Sequence, residues 1–222
     1  MTIFREIDMV IFDMAGTVID EKGIVYKVLK DTLRHFNLKF SEDEFDYFHG
    51  INKISVLEHF MDLNKFKDTE SVINYFNTNI EKSYFSNNII EPMNNATELF
   101  KKLRENNIKV CLNTGHSRKI ANKLINNMGF DKYIDGSVTS DEVLEGRPYP
   151  YMIEKLKNEF NIESDKIIKI GDTVADIKEG INAFTRIQIG VLSGADSREK
   201  LLEANASFIV DSISDLLDDK YY

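Results

Sequence analysis

Short apolar segments alternate with segments of helical period along most of this chain. Five segments are almost entirely apolar, as in buried strands: MVIF (9–12), IKVCLN (108–113), IIKI (167–170), IQIGV (187–191) and SFIV (207–210). A further short strand is expected at DGSV (135–138). Four segments carry apolar residues at three- and four-residue spacing, as in helices: NATELFKKLRENN (95–107), RKIANKLINNMG (118–129), PYMIEKLKNEF (150–160) and TVADIKEGINA (173–183). The alternation predicts βαβ units and an α/β fold with a mostly parallel sheet covered on both faces.

Residues 24–86 break this alternation, because they show helical period with no convincing strand. Their helical segments are IVYKVLKDTLRHF (24–36), SVLEHFMDL (55–63) and ESVINYFNTNIEKSYF (70–85). Turn-rich stretches flank them at residues 20–23 and 86–92. We therefore predict a core domain of residues 1–20 and 88–222, with a helical domain of residues 21–87 inserted after the first strand. The aromatic residues of the insertion are expected to form its own small core.

Composition narrows the classes of protein that fit. The 222 residues are 42% hydrophobic, enough for a full core, and 28 Lys and Arg against 37 Asp and Glu leave a net charge of −9. Because no basic tract stands out, nucleic-acid binding is not expected. The single cysteine, Cys111, suits a reducing compartment. We find no signal-peptide pattern and no apolar run long enough to span a membrane, and we expect a soluble cytoplasmic protein without membrane partners.

Small polar or charged residues follow several of the predicted strands. They are Asp13, Thr114, Asp172 and, one helical turn later, Asp176; Arg147 stands just before a helix that begins near Pro148. Taken singly, such residues are typical of helix caps and turns. In open α/β sheets, however, ligands bind at the carboxyl ends of the strands, so the combination indicates a binding or catalytic site.

Four motifs resemble those of the haloacid dehalogenase superfamily of hydrolases, and they occur in that family's order. They are DMAGT (13–17), NTG (113–115), GRP (146–148) and GDTVAD (171–176). The resemblance implies a Rossmann-like core, and the helical insertion is similar to the family's first-type (C1) cap domain. It also implies that Asp13 is the nucleophile that becomes an aspartyl-phosphate. Mg²⁺ would then be bound by Asp13, the Ala15 backbone carbonyl and Asp172.

The same resemblance assigns the remaining site residues. Thr114 and Arg147 would stabilise the transferring phosphoryl group, and Asp176 would orient Arg147. These roles agree with the chemistry, since a hard dication relieves repulsion between carboxylates while hydrogen bonds and a fixed positive charge stabilise phosphoryl oxygens. Substrate contacts are expected from Thr17, Gly50, Lys53, Thr114, Gly115, His116 and Arg147.

Ala15 departs from the pattern of the family's phosphatases and phosphomutases, which carry an acid two residues after the nucleophile. Without that acid, the chain is either a slow phosphatase or an enzyme whose leaving group needs no protonation. The dehalogenase branch also lacks the acid, but it uses no metal, and Asp172 indicates a metal site. The sequence AGT at this turn resembles the phosphonatase (phosphonoacetaldehyde hydrolase) branch and its phosphonatase-like relatives. In that branch a cap lysine forms a Schiff base with the substrate aldehyde.

Lys53, three residues after Gly50, stands where that lysine is expected. The chain differs from the branch at Val56, where phosphonatase has His, and at Val18, where it has Thr. Three interpretations of Lys53 stay open: a Schiff-base lysine, a residue that contacts the substrate anion, and a solvated lysine. His49 and His116 are interpreted either as facing the closed site or as packed or surface residues.

Three functions are therefore compared. The favoured one is Mg²⁺-dependent hydrolysis of a small phosphonate that resembles phosphonoacetaldehyde. The second is a phosphatase for small monoesters such as phosphoglycolate or sugar phosphates, and the third is a weakly active binding or regulatory protein on the same fold. By resemblance, a homodimer formed through the cap is also expected.

Overall fold

The computed structural model describes residues 2–86 and 89–222, and these ranges contain eight β-strands and nine α-helices. The strands are β1 (Met9–Asp13), β2 (Ile19–Asp20), β3 (Glu91–Pro92), β4 (Lys109–Thr114), β5 (Gly136–Thr139), β6 (Ile167–Gly171), β7 (Ile187–Val191) and β8 (Phe208–Val210). The helices are α1 (Ile24–His35), α2 (Glu42–Asp46), α3 (Lys53–Leu63), α4 (Thr69–Phe85), α5 (Ala96–Glu105), α6 (Arg118–Met128), α7 (Tyr151–Phe160), α8 (Val174–Asn182) and α9 (Arg198–Glu203). None of these helices is long and apolar enough to cross a membrane.

Six strands form one parallel sheet in the order β5-β4-β1-β6-β7-β8, which confirms the six predicted core strands. The strands β1 and β4 run one residue further than the apolar pattern indicated. Asp13 pairs with Asn113, and Thr114 pairs with Thr139. Strand pairing uses backbone groups, so residues with polar side chains can continue the ladder. Their side chains are then held at its end.

Helices cover both faces of the sheet, as the α/β prediction requires. Successive side chains of a strand point to opposite faces. Val10 and Phe12 belong to the cluster that contains Phe100 of α5, whereas Met9 and Ile11 belong to the cluster around α7. All four of these β1 side chains are fully buried, which explains why the strand shows no polar alternation.

The helices α1 to α4 lie between β2 and β3. These two strands pair antiparallel, with Ile19 opposite Pro92 and Asp20 opposite Glu91. The three helices predicted here are present, and Phe45 of α2 stacks on Phe60 of α3 with ring centroids 6.1 Å apart. The pattern missed α2 and α9, because five and six residues are fewer than two turns and show little periodicity. Within the predicted 86–92 hinge, Asn87 and Asn88 lie outside the described residues, and the division at residues 21–87 stays a prediction.

The strand β1 marks the point where the order of connections reverses. The chain passes from β1 to β4 and β5 on one side of it, and then crosses to β6, β7 and β8 on the other. Such a switch point leaves a crevice at the carboxyl ends of the strands. The candidate residues at the ends of β1, β4 and β6 therefore meet in one place.

Candidate active site

Three carboxylates meet at this switch point. Asp13 ends β1, Asp172 follows β6, and Asp176 lies in the first turn of α8. Each offers an oxygen within 4.8 Å of the others, and all three side chains are buried. This arrangement could hold a metal ion, because clustered carboxylate oxygens are the ligands that hard dications prefer.

Asp172 is held in place by neighbours on both sides. The Thr17 hydroxyl donates to its Oδ1 over 3.1 Å, and the Ala195 amide donates to its Oδ2 over 2.8 Å. Glycines make room for this carboxylate, since a Cβ at Gly16 or Gly194 would lie 2.5 or 1.9 Å from Oδ2. Gly16 also has a φ of +85°, which favours glycine. Thr17, predicted to contact substrate, thus finds its partner within the protein.

Arg147 joins the motifs into one network. Its Nη1 lies 2.6 Å from Asp13 Oδ1 and 3.2 Å from Asp176 Oδ1. Its Nε lies 3.1 Å from Glu179 Oε2, and its Nη2 donates to the carbonyl and the side-chain oxygen of Asn113 over 2.8 and 2.7 Å. The planar guanidinium presents five donors in a fixed fork, so it can pair with more acceptors at once than the three donors of a lysine allow.

Lys169 is a buried cation that the sequence reasoning did not single out. From the middle of β6, its Nζ lies 2.6 Å from Asn113 Oδ1, 2.9 Å from Asp176 Oδ1 and 3.4 Å from Glu179 Oε2. The available signal was a lysine inside the otherwise apolar IIKI strand, since lysines are almost never fully buried without a partner.

Negative charge exceeds positive charge around Asp13. The carboxylates of this cluster are Asp13, Asp172, Asp176 and Glu179, whereas its cations are Arg147, Lys169 and the nearby Lys53. Burial, with the charges of Asp13 and Asp176, holds the pKa of Asp172 well above its usual range. Burial also raises the pKa of Asp13, although Arg147 opposes it. Burial also acts to raise the pKa of Asp176, but the positive charges of Arg147 and Lys169 outweigh burial and lower that pKa. The donor set therefore fits a divalent cation, which would stabilise the ionised carboxylates.

Lys53, the first residue of α3, points into the molecule. It is 7% exposed, its Nζ donates to the Ile51 carbonyl over 2.8 Å, and the amine lies 5.4 Å from the Tyr26 ring centroid. Burial, with the Arg147 charge acting in the same direction, lowers the pKa of Lys53 to about 8 against the effect of Asp13. This burial excludes the solvated lysine among the three interpretations.

Two glycines allow the segment that carries Lys53 to lie against the core. Gly50 has a φ of +75°, and a Cβ there would lie 2.1 Å from the Thr173 hydroxyl oxygen. A Cβ at Gly115 would lie 3.0 Å from the Ile51 carbonyl oxygen. The Gly50 amide donates to the Tyr26 hydroxyl over 3.1 Å. The inserted helices and the core thus touch at the predicted site residues.

The neighbours of Gly115 are also buried. The Thr114 Oγ1 accepts from the His116 amide over 3.2 Å, and the His116 Nε2 lies 3.1 Å from the Tyr84 hydroxyl. Burial, with the charges of Lys53 and Arg147, lowers the pKa of His116 to about 3, so its ring is neutral near pH 7. His116 is therefore a packed, neutral residue beside the site. Tyr84 and Tyr26 depart from the expectation that the aromatic residues serve only the insertion's own core.

His49 pairs with acidic residues outside the carboxylate cluster, Asp46 and Asp196. Its Nδ1 is 3.0 Å from Asp196 Oδ1, and Asp196 in turn accepts from the Val174 amide over 2.8 Å. It lines a cleft of about 680 Å³ between the inserted helices and the core. This placement agrees with the interpretation of His49 as a packed or surface residue.

Glu21 is a second ionisable residue that the sequence reasoning missed, because it falls in a turn-rich stretch where an acidic residue is ordinary. It is 6% exposed, and its Oε2 accepts from the Val25 amide over 2.8 Å and from the Tyr84 hydroxyl over 3.3 Å. Glu21 lines a cavity of about 190 Å³ together with Tyr26, Ala15 and Asp172. This cavity connects the turn before α1 with the carboxylate cluster.

A parallel sheet with helices on both faces defines an α/β protein, and the polar side chains gathered at its switch point form a candidate active site. Solved structures share the fold: a hydrolase from Pseudomonas syringae is similar with a TM-score of 0.83 and 22% identity, covering 95% of this chain and 96% of that one. A phosphonoacetaldehyde hydrolase-like protein from Oleispira antarctica is similar with a TM-score of 0.80 and 20% identity, covering 97% and 92%.

The sequence matches the haloacid dehalogenase-like hydrolases over residues 10–189, and the chain belongs to this family. It is therefore a hydrolase, as the motifs predicted. A phosphonoacetaldehyde hydrolase from Parabacteroides distasonis is 29% identical over 258 aligned positions, which cover 96% of this chain and 95% of that protein. This similarity agrees with the resemblance to the phosphonatase branch.

Proposed function

We propose that this hydrolase uses Mg²⁺ to cleave the carbon–phosphorus bond of a small phosphonate aldehyde such as phosphonoacetaldehyde. The observation that carries the proposal is Lys53, a buried amine that interacts with the charges of Asp13 and Arg147 and has a pKa near 8. An amine with a lowered pKa is a good nucleophile toward a carbonyl. The similarity to proteins named phosphonoacetaldehyde hydrolase supports the same choice.

The carboxylates of Asp13 and Asp172 and the carbonyl of Ala15 would hold the metal ion. Ala15 and Asp172 line the same small cavity, and the carboxylate cluster has the oxygen donors and the excess negative charge that suit a hard dication. When bound, Mg²⁺ would polarise the phosphoryl oxygens and offset their negative charge. Thr17 would support this site through its bond to Asp172.

The reaction begins at Lys53. Its neutral amine attacks the aldehyde carbon, and loss of water leaves a protonated imine. The Asp13 carboxylate then attacks phosphorus, and the electron pair of the breaking carbon–phosphorus bond moves into the imine to give an enamine. Hydrolysis by water releases phosphate from Asp13 and product from Lys53. Because the leaving group is an enamine, Ala15 can stand where phosphatases carry an acid.

The other predicted residues position these groups. Arg147 places positive charge beside the Asp13 carboxylate and the phosphoryl group, and the Thr114 hydroxyl donates to a phosphoryl oxygen. Asp176 and Glu179 orient Arg147 through their ion pairs with it. Helices α1 to α4 act as a cap domain whose closure excludes water. Gly50 and Gly115 let the cap segment that carries Lys53 lie against the core.

Borohydride trapping tests the proposal. The protein is mixed with phosphonoacetaldehyde and Mg²⁺, reduced with borohydride and digested with a protease. The mass of the peptide that contains Lys53 is then measured by mass spectrometry. We expect a reduced adduct on Lys53 that Lys53→Arg abolishes. Lys67→Arg is the matched control, since Lys67 is an exposed lysine in the same insertion, and it should leave the adduct unchanged.

A phosphatase for small phosphate monoesters is the second candidate. The hydrogen bond from Lys53 Nζ to the Ile51 carbonyl favours it, because it holds the amine as an anion-contacting group would be held. This function would be established if no adduct forms while phosphoglycolate or a sugar phosphate is hydrolysed with Mg²⁺. An adduct on a residue other than Lys53 would contradict the favoured function as well.

A further inference from the structure

Glu21 is a buried acid that the proposed reaction has not yet used. It lies between β2 and α1, where the chain leaves the core for the inserted helices. Two donors, the Val25 amide and the Tyr84 hydroxyl, bind the same oxygen of its carboxyl group. The residue lines the small cavity that reaches Ala15 and Asp172. A buried carboxyl beside a cavity at an active site is well placed to exchange protons with a bound molecule.

Lys53, at the start of α3, is a neighbour of one residue that lines this cavity. The Tyr26 ring lies 5.4 Å from the Lys53 amine and also lines the cavity with Glu21. Glu21 and Lys53 interact electrostatically in both directions, since each shifts the other's pKa toward its charged form. Lys53 and Glu21 therefore share Tyr26 as a common neighbour, and each feels the charge of the other.

Tyr84 connects Glu21 to His116. The Tyr84 oxygen lies 3.3 Å from Glu21 Oε2 and 3.1 Å from His116 Nε2, and Tyr84 has only one hydroxyl proton. An ionised Glu21 accepts that proton as a hydrogen bond, whereas a protonated Glu21 can donate to Tyr84, which then donates to His116. The chain can therefore satisfy both protonation states of Glu21 without moving a heavy atom.

We propose that Glu21 is the general acid–base catalyst that moves protons while Lys53 forms its imine with the substrate aldehyde. The proposal rests on the proposed function and adds the residue that its first step lacks. Burial raises the pKa of Glu21 to about 7, although the hydrogen bonds from the Val25 amide and Tyr84 and the charge of Lys53 act to lower it. Both protonation states are therefore populated near neutral pH. Among the described residues, the ionisable groups that interact with Glu21 or line its cavity are Lys53, Tyr26, Tyr84, Asp20, Lys22, Asp172 and, through Tyr84, His116.

The proton transfers balance as follows. The neutral Lys53 amine attacks the carbonyl carbon, and the protonated Glu21 gives its proton to the oxygen that gains the carbonyl electron pair. The Glu21 carboxylate then removes a proton from the nitrogen, which leaves a neutral carbinolamine. Glu21 returns this proton to the hydroxyl group, water departs, and the nitrogen lone pair forms the carbon–nitrogen double bond. One protonated imine, one water molecule and one Glu21 carboxylate result.

The test isolates imine formation from phosphoryl transfer. In an Asp13→Asn background, which cannot form the aspartyl-phosphate, the rate of borohydride trapping at Lys53 is measured with phosphonoacetaldehyde between pH 5 and 9. We expect Glu21→Gln to slow trapping about a hundredfold at pH 7 and to remove an inflection near pH 7 from the rate profile. Glu21→Asp should restore part of the rate, and the exposed Glu105→Gln should change nothing.

The direction in which Glu21→Gln changes the trapping rate distinguishes a proton-transfer role of Glu21 from a purely electrostatic one. If Glu21 only stabilised the Lys53 ammonium, Glu21→Gln would make the amine easier to deprotonate and trapping would become faster. Trapping that is unchanged or faster in Glu21→Gln would overturn this inference and leave the proposed function standing. If no adduct forms even when Glu21 is present, both the inference and the proposed function are overturned. Far-UV circular dichroism shows whether each variant folds.

Discussion

At the scale of single residues, the surroundings of Asp13 and Asp172 explain why two carboxylates can coexist in a buried site. Burial raises the pKa of both groups, and mutual repulsion adds to that of Asp172. Arg147 offsets the charge of Asp13 over 2.6 Å, whereas Asp172 has no ion pair among the described residues and accepts hydrogen bonds from Thr17 and the Ala195 amide. The uncompensated part of the charge is at Asp172, which is therefore the residue that a bound dication would stabilise most.

Mg²⁺ binding is expected to depend on Asp172. In isothermal titration calorimetry, Asp172→Asn should weaken Mg²⁺ binding at least tenfold, because the hard cation loses one of its charged oxygen ligands. The exposed Asp165→Asn serves as the control and should bind as the natural chain does. At a hundredfold excess of Mg²⁺ over its Kd, the natural chain should gain about 2.7 kcal/mol in free energy of unfolding. Equal affinity in Asp172→Asn would contradict this metal assignment.

At the scale of elements, the start of α3 fixes the position of Lys53. Asn52 caps the helix, since its Oδ1 accepts from the Ile54 and Ser55 amides over 2.9 and 3.0 Å. The Nδ2 of the same side chain donates to the Ser140 hydroxyl over 2.6 Å, which ties the helix start to the core. Lys53 is thus placed by a helix terminus and not by a free loop, and this suits a residue that must meet a small substrate.

Gly50→Ala should separate this helix start from the core. A Cβ at Gly50 would collide with the Thr173 hydroxyl, so the segment has to shift and Lys53 with it. We expect kcat/KM to fall at least tenfold for the substrate that the trapping experiment identifies. Gly129→Ala is a matched control: its φ is +68°, and a Cβ there would meet no atom of the described residues within 4 Å. It should lose about 1 kcal/mol of stability and keep its activity. Equal losses of activity in both variants would show that backbone strain, and not the collision, is responsible.

At the scale of the whole molecule, charged residues connect parts of the chain that are distant in sequence. Glu21 reaches Tyr84 at the far end of the inserted helices, and Arg147 reaches Asp13, Asp176 and Gly50. Unfolding exposes all of these groups to water, where their pKa values return to ordinary ones. The pH dependence of stability therefore reports on the buried site.

Glu21 should make the protein less stable as the pH rises. Burial raises its pKa from 4.5 to about 7, so from pH 4.5 upward the unfolded chain ionises while the folded chain keeps the proton. Its contribution is fully present below pH 4.5 and is lost as the pH rises through 7. In urea titrations, the free energy of unfolding of the natural chain relative to Glu21→Gln should fall by about 3 kcal/mol over this range. A constant difference would show that Glu21 has an ordinary pKa in the folded protein.

The order of elements could be predicted because it depends on local pattern. Buried parallel strands are continuous apolar runs and amphipathic helices repeat every three to four residues, so six strands and the longer helices are visible in short windows. The apolar run of β1 and the motif that follows it also indicated Asp13 and the departure at Ala15. The turn-rich stretch before α1 was equally visible, but nothing in it distinguished Glu21 from a solvated acid.

The sequence by itself determined the fold class, the family and the positions of Asp13, Thr114, Arg147 and Asp172. Only the tertiary structure decided that Lys53 is buried, that Thr17 binds Asp172, and that Lys169 and Glu179 complete the network of Arg147. The physical reason is that a side chain's chemistry depends on desolvation and on charges a few ångströms away. Those neighbours come from segments far apart in the chain, as Thr17 and Asp172 do.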